Sequence, residues 1–171
     1  TLWINGLELY KEYVMSTITD TKPYGLVPGH IYILDKINMD RFTVPPSHGT
    51  IDEAYINLQL QAKQGRKVAD NAYIRTFPIS IQRRGFHATL LSKTKAISII
   101  AKVLNDGELK QIAIDQLEWI LGKNPFASST MYGEGYNYHP LYVAFSPQMV
   151  GALPVGIMTL GEADLPYWPM M

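Results

Sequence analysis

The sequence predicts a mostly α fold, built from helical hairpins with long ordered loops at one end. Three observations carry that prediction. Apolar residues recur at helical spacing from Leu2 to about Met15 and again from Leu109 to Leu121. Ala88 to Leu104 is apolar on more than one side, as an element buried between neighbours must be. The last two segments are separated only by Asn105-Asp106-Gly107 and adjacent turn residues, the short link of an antiparallel αα-hairpin. Neither βαβ alternation nor an internal repeat is present.

The first helix places Leu2, Gly6, Leu9, Tyr10, Tyr13 and Val14 on one face. Pro23-Tyr24-Gly25 and Pro28-Gly29 then punctuate a connection. Ile31-Tyr32-Ile33-Leu34 is short, β-branched and aromatic, and reads either as a brief strand or as an extended loop wall. From Asp35 to Thr50 the chain is polar, and Pro45-Pro46-Ser47-His48-Gly49 prevents regular structure. A connection of that length in a compact domain is expected to serve a site. Ile51 to about Gln64 is the next helix, with Ala54, Leu58 and Gln61 on one side and Gly65 as its stop. Asp52 and Glu53 form a solvated start, favourable beside the positive end of the helix dipole. Val68 to Gln82 supports two readings, because Pro78 breaks a helix while Ile79-Ser80-Ile81 alternates like a strand. Arg83-Arg84-Gly85-Phe86-His87 punctuates before the hairpin, and Gly122 sits where a left-handed cap residue belongs. Leu141 to Thr159 mixes aromatic, proline and glycine residues, the composition of an ordered surface loop.

Bulk properties exclude several classes of function. The 171 residues make one domain or a piece of a larger one. Fifteen basic and fifteen acidic residues cancel, so no single-sign field is available for neutralising phosphates, and nucleic acid is not an expected partner. Nothing approaches 18 consecutive apolar residues, so no membrane span is expected. Without cysteine there are no disulfides, thiolate metal sites or cysteine nucleophiles. His30, His48, His87 and His139 are scattered without ligand spacing, so no metal is expected. Tyr132-Gly133-Glu134-Gly135 follows a helix instead of a strand and lacks a third glycine, which removes a dinucleotide cofactor. No Gly-x-Ser-x-Gly elbow is present. Both ends resemble internal cuts. Thr1-Leu2-Trp3 enters directly into apolar periodicity, and Tyr167-Trp168-Pro169-Met170-Met171 stops without a polar tail.

The informative chemistry is aromatic. Tyr132, Tyr136, Asn137, Tyr138, His139 and Tyr142 fall within eleven residues, and Tyr167-Trp168 follow. Aromatic faces with a few placed amides and charges suit sugar rings, whose apolar side stacks while the hydroxyls hydrogen-bond. The run Trp119-Ile120-Leu121-Gly122-Lys123-Asn124-Pro125-Phe126, continued by Ser128-Ser129 and Tyr132-Gly133-Glu134-Gly135, resembles the segment before the substrate-binding loop of glycoside hydrolase family 9. That family of inverting endoglucanases belongs to the six-hairpin glycosidases. Gly151-Ala152-Leu153-Pro154-Val155-Gly156-Ile157 and Asp164-Leu165-Pro166-Tyr167-Trp168-Pro169 look like its divergent bacterial branch.

The resemblance implies part of an (α/α)6 barrel, with residues 1–171 as the C-terminal portion of a catalytic domain whose remainder is the expected partner. It implies a secreted or periplasmic hydrolase of O-glycosidic bonds in a β-glucan-like poly- or oligosaccharide, with no cofactor. Tyr132, Tyr136, Asn137, His139, Tyr167 and Trp168 become candidate sugar contacts, and His139 is the residue carried over from the family's loop. Inversion needs a carboxylic acid and a carboxylate base about 6.5–9.5 Å apart. The family's Asp-x-x-Asp base motif is missing here, and its acid glutamate would follow Met171. Glu134 is therefore the candidate for direct catalysis within the chain, with Glu162 and Asp164 as the other nearby carboxylates. Two further readings use the same residues. A polysaccharide lyase on a related barrel would use Arg83, Arg84, Tyr136 and His139. A non-catalytic glycan-binding module would need only the aromatic cluster.

Overall fold

In a computed structural model, which describes residues 2–38, 40, 49–79, 85–138 and 149–168, the chain is helix-rich with few strands. Helix α1 spans Leu2–Ile18, α2 Ile51–Lys63, α3 His87–Leu104 and α4 Gly107–Ile120. Each of the helices expected from apolar spacing is present, with no end shifted by more than three residues. No described helix is long and apolar enough to cross a membrane.

The α3–α4 hairpin closes as its linker dictates. Asn105 adopts the left-handed conformation (φ 52°), and the Asp106 amide reaches back to the Ala101 carbonyl at 2.8 Å. Asp106 then caps α4, its carboxylate accepting from the Leu109 amide at 2.9 Å. Lys11 Nζ lies 2.7 Å from the same carboxylate, tying α1 to the hairpin and holding Asp106 below the usual carboxylate range. Beneath these polar ties, Val14, Val27, Ile97, Ile100, Leu109 and Ala113 form one apolar core. Helix α2 starts on a capping box, with Thr50 and Glu53 each accepting from the other's backbone amide, at 3.2 and 2.7 Å respectively.

A small antiparallel sheet joins β1 (His30–Ile33), β2 (Arg66–Ala69) and β3 (Ala72–Arg75) in the order β1-β3-β2. The register sets His30 opposite Arg75 and Ile33 opposite Ala72, while a bulge interrupts β2 between Lys67 and Ala69. The strand reading therefore applies at Ile31–Ile33, with the tip of the neighbouring ambiguous stretch folded as a hairpin around Asp70-Asn71. Tyr32, Leu34, Leu58, Ala62 and Ile79 pack behind this sheet. Beyond it, β4 (Met158–Thr159) and β5 (Pro166–Tyr167) pair antiparallel. The expectations placed on 41–48, 80–84 and 139–148 fall outside the described residues.

One buried cation fastens the β4–β5 segment to the sheet. Arg75, at the end of β3, has a fully buried side chain. Its Nη1 donates to the Gln61 carbonyl at 2.5 Å and the Glu162 carbonyl at 3.2 Å. Its Nη2 donates to Thr159 Oγ1 at 2.7 Å and the Ala163 carbonyl at 3.0 Å. Nε stands 3.6 Å from Asp164 Oδ1, close enough for charge attraction but too long for a hydrogen bond. Asp164 itself accepts from the Thr76 and Phe77 amides, both at 2.9 Å.

Candidate functional site

The site grows out of the end of α4. Leu121 leaves the helix, and Gly122 takes φ 120°, a value that side-chain-bearing residues avoid. The Gly122 amide returns to the Trp119 carbonyl at 3.4 Å and the Lys123 amide to the Glu118 carbonyl at 2.9 Å, the paired bonds of a Schellman ending. Asn124 then locks the corner. Its Nδ2 donates to the Trp119 and Ser128 carbonyls at 2.7 and 2.9 Å, while its Oδ1 accepts from the Phe126 amide at 3.1 Å. The Thr130 amide donates to the Ile120 carbonyl at 2.8 Å, and the Ser129 amide to the Asn137 carbonyl at 2.7 Å, so the loop is stitched at both ends. A third tie pairs Tyr132 with the 151–152 backbone, at 2.8 and 2.9 Å.

That scaffold presents the aromatic cluster. Tyr132 and Tyr138 meet edge to face, with ring centroids 5.5 Å apart at 74°. Tyr136 projects fully into solvent. Glu134, exposed between two glycines of positive φ, marks the tip of a turn closed by its amide on the Met131 carbonyl at 3.4 Å. Asn137 serves mainly through its backbone, and its amide group donates to the Ala127 carbonyl at 3.4 Å. His139, Arg83 and Arg84 lie outside the described residues.

Two sequence candidates belong to a different part of the molecule. Tyr167 is partly exposed on β5. Trp168 is only 5% exposed and packs in a core with Leu26, Phe77, Phe86 and Trp119, so its ring offers no open face for stacking. The neighbouring carboxylates are also occupied: Asp164 holds two strand amides, and Glu162 Oε1 accepts from Asn57 Nδ2 at 3.3 Å. Glu134 is the candidate carboxylate that stays with the aromatic tip. Among the described residues, no cluster of three or more histidine, aspartate or glutamate side chains could hold a metal ion.

No protein-family model, curated protein or solved structure matches this chain.

Sequence reasoning overlooked two residues. His87 is 1% exposed at the start of α3 and cannot serve a ligand at the surface. Its Nδ1 lies 3.0 Å from the Pro154 carbonyl, and its Nε2 is buried with no hydrogen-bond partner among the described residues. Burial pushes its pKa down to about 4, against a smaller opposing effect of the Pro154 carbonyl. The imidazole rests on Gly156, where φ is 100° and an added Cβ would fall 2.4 Å from the ring. The signal for this packing is Gly156, whose missing side chain permits the close approach of the ring. The second overlooked residue is Asn124, whose role as the corner's fastener depends on four backbone groups that spacing does not place together.

Asn124→Ala is expected to destabilise the chain by about 2 kcal/mol, because half-buried carbonyls and amides lose partners without replacement. Hydrogen exchange should report faster loss of protection at Ser128, Ser129 and Thr130 than in α3. Unchanged protection at those amides would refute the fastening role.

Proposed function

We propose that this chain is the sugar-binding portion of an inverting glycoside hydrolase of the family 9 kind, contributing helices and loop to an (α/α)6 barrel. The observation carrying this reading is the way the Trp119–Phe126 run folds into a self-fastened corner that holds Tyr132, Tyr136 and Tyr138 together at a solvent-facing tip. Aromatic groups on a fastened loop, beside an exposed carboxylate and an amide, suit a neutral poly- or oligosaccharide of β-glucan type. The α3–α4 hairpin supports the barrel, since such hairpins are its repeating unit. The whole enzyme works outside the cytoplasm, as a secreted or periplasmic protein, because polymeric glycans lie there.

Within this chain the tip binds and orients. Glu134 hydrogen-bonds a sugar hydroxyl, and the acid–base pair needed for inversion comes from the remainder of the domain. The chain by itself therefore binds glycan without hydrolysing it. Titration with cellotetraose tests this: Tyr136→Ala should weaken binding about tenfold, the effect of losing roughly one stacked aromatic face. Equal affinity of variant and parent would sink the assignment of the tip. One observation favours a second reading, a non-catalytic glycan-binding module: Glu162 and Asp164 are both engaged by the fold. Reducing-sugar release by the intact polypeptide on β-glucan separates the two, being present for the hydrolase and absent for the module.

A further inference from the structure

A second concave site lies under the same corner. A groove of about 630 Å³ opens between the 18–25 turn and the C-terminal half of α4, walled by Tyr24, Asp115, Trp119, Lys123, Asn124 and Pro125. Its size falls within the roughly 300–1,000 Å³ of small-ligand sites. Tyr24 is held in place by edge contacts to Phe77 at 5.2 Å and to Trp119 at 5.5 Å. The Asn124 amide is consumed by the corner and contributes only shape. One polar group is not consumed. Lys123 Nζ, 3.4 Å away, and Gln111 Nε2, 3.2 Å away, both contact Asp115 through Oδ1, which leaves Oδ2 open to a donor. Trp119 is 3% exposed and gives the groove part of its wall, with its Nε1–H buried out of reach.

We propose that this groove is a second saccharide subsite that takes one neutral sugar ring, an inference resting on the glycan reading above. The ring's C–H face lies against Tyr24, and a hydroxyl donates to Asp115 Oδ2, with Trp119 in the groove wall as the reporter of occupancy. Charge decides against an acidic sugar. Lys123, the ammonium on the groove's lining, is already paired with Asp115 and Glu118, so a uronate would meet an engaged cation beside the Asp115 carboxylate. The groove and the aromatic tip are both built on the corner at 122–125, so one fastened element serves the two subsites.

The test is a ¹H–¹⁵N titration of the whole chain with cellotetraose, following the indole signals of its three tryptophans and the amides of Gly133 and Gly135. The Trp119 indole signal should shift saturably, and should still do so in Tyr136→Ala. Asp115→Ala, at a solvent-accessible position that leaves the core intact, should weaken that response about fivefold while the tip amides respond as before. If the tip amides shift and the Trp119 signal stays still, the groove proposal is overturned and the glycan reading stands. If neither region responds, both fall. An Asp115→Ala variant that titrates like the parent at Trp119 also overturns the proposal.

Discussion

Arg75→Met is expected to lower the free energy of unfolding by about 3–5 kcal/mol, the range seen when one partner of a buried charged network is removed. Methionine approximates the volume of the arginine stem, so the loss comes from polar groups and not from a cavity. The carbonyls of Gln61, Glu162 and Ala163 and the Thr159 hydroxyl all lose their guanidinium donor. Asp164 keeps its two backbone amides but loses the opposing charge 3.6 Å away. Since domains of this size are stable by only about 5–15 kcal/mol, the variant should lie near the threshold of folding. Urea unfolding followed by circular dichroism measures the effect. A loss below about 1 kcal/mol would show that the guanidinium does not hold the β4–β5 segment to the sheet. Arg75→Lys should recover only part of the loss, because a single ammonium cannot reach acceptors arrayed around a planar fork.

Acidification should produce the next largest effect, through His87. Its folded pKa is about 4, against an ordinary 6.5. Above pH 6.5 the imidazole is neutral in both states, and stability is fully present. As pH falls through the window between 6.5 and 4, the unfolded chain takes up a proton that the folded chain refuses, so stability is lost. The loss is complete below pH 4 and amounts to about 3 kcal/mol. Burial also lowers His30, with the Lys93 charge adding to it, so His30 contributes in the same direction. Carboxylates held low by hydrogen bonds, Asp106 and Glu53 among them, act at lower pH. Unfolding free energies at a series of pH values should therefore slope by about one extra proton near pH 5, relative to His87→Gln. Parallel curves for parent and variant across that window would contradict the buried neutral histidine.

How much of this was legible depends on where the energy lies. The helices were readable because their burial is periodic: Leu109, Ile112, Ala113 and Ile120 recur on one face and are buried on that face. The Gly122 cap was readable for a similar reason, since a left-handed residue strongly favours glycine. The β2–β3 hairpin was not. Every position of β2 is exposed, so the strand has no apolar alternation to detect, and the available cue was the Asp70-Asn71 pair, where Asn71 turns at φ 53°. The aromatic tip was legible as composition, and Tyr132, Tyr136 and Tyr138 do share one loop. Trp168 was misjudged because composition does not distinguish a platform from a core residue. Its burial comes from Leu26, Phe77 and Phe86, which lie 82 to 142 positions earlier in the chain. The role of Arg75 was illegible for the same reason, since its acceptors at Thr159, Glu162 and Ala163 are distant in sequence.

The irregular outer strand also bears on how copies of the chain behave in concentrated solution. A flat, uncharged sheet border invites another chain to extend the ladder, which is a common route to aggregation. The β2 border is neither flat nor uncharged. Its bulge breaks the spacing that an incoming strand would have to match, and Arg66 and Lys67 place two cations along it. Their partners, Asp20 and Asp70, come from the same molecule, so neither charge depends on a neighbour for compensation. An approaching copy would meet a ladder broken by the bulge and bordered by side chains already engaged within their own molecule, which gives it little to pair with.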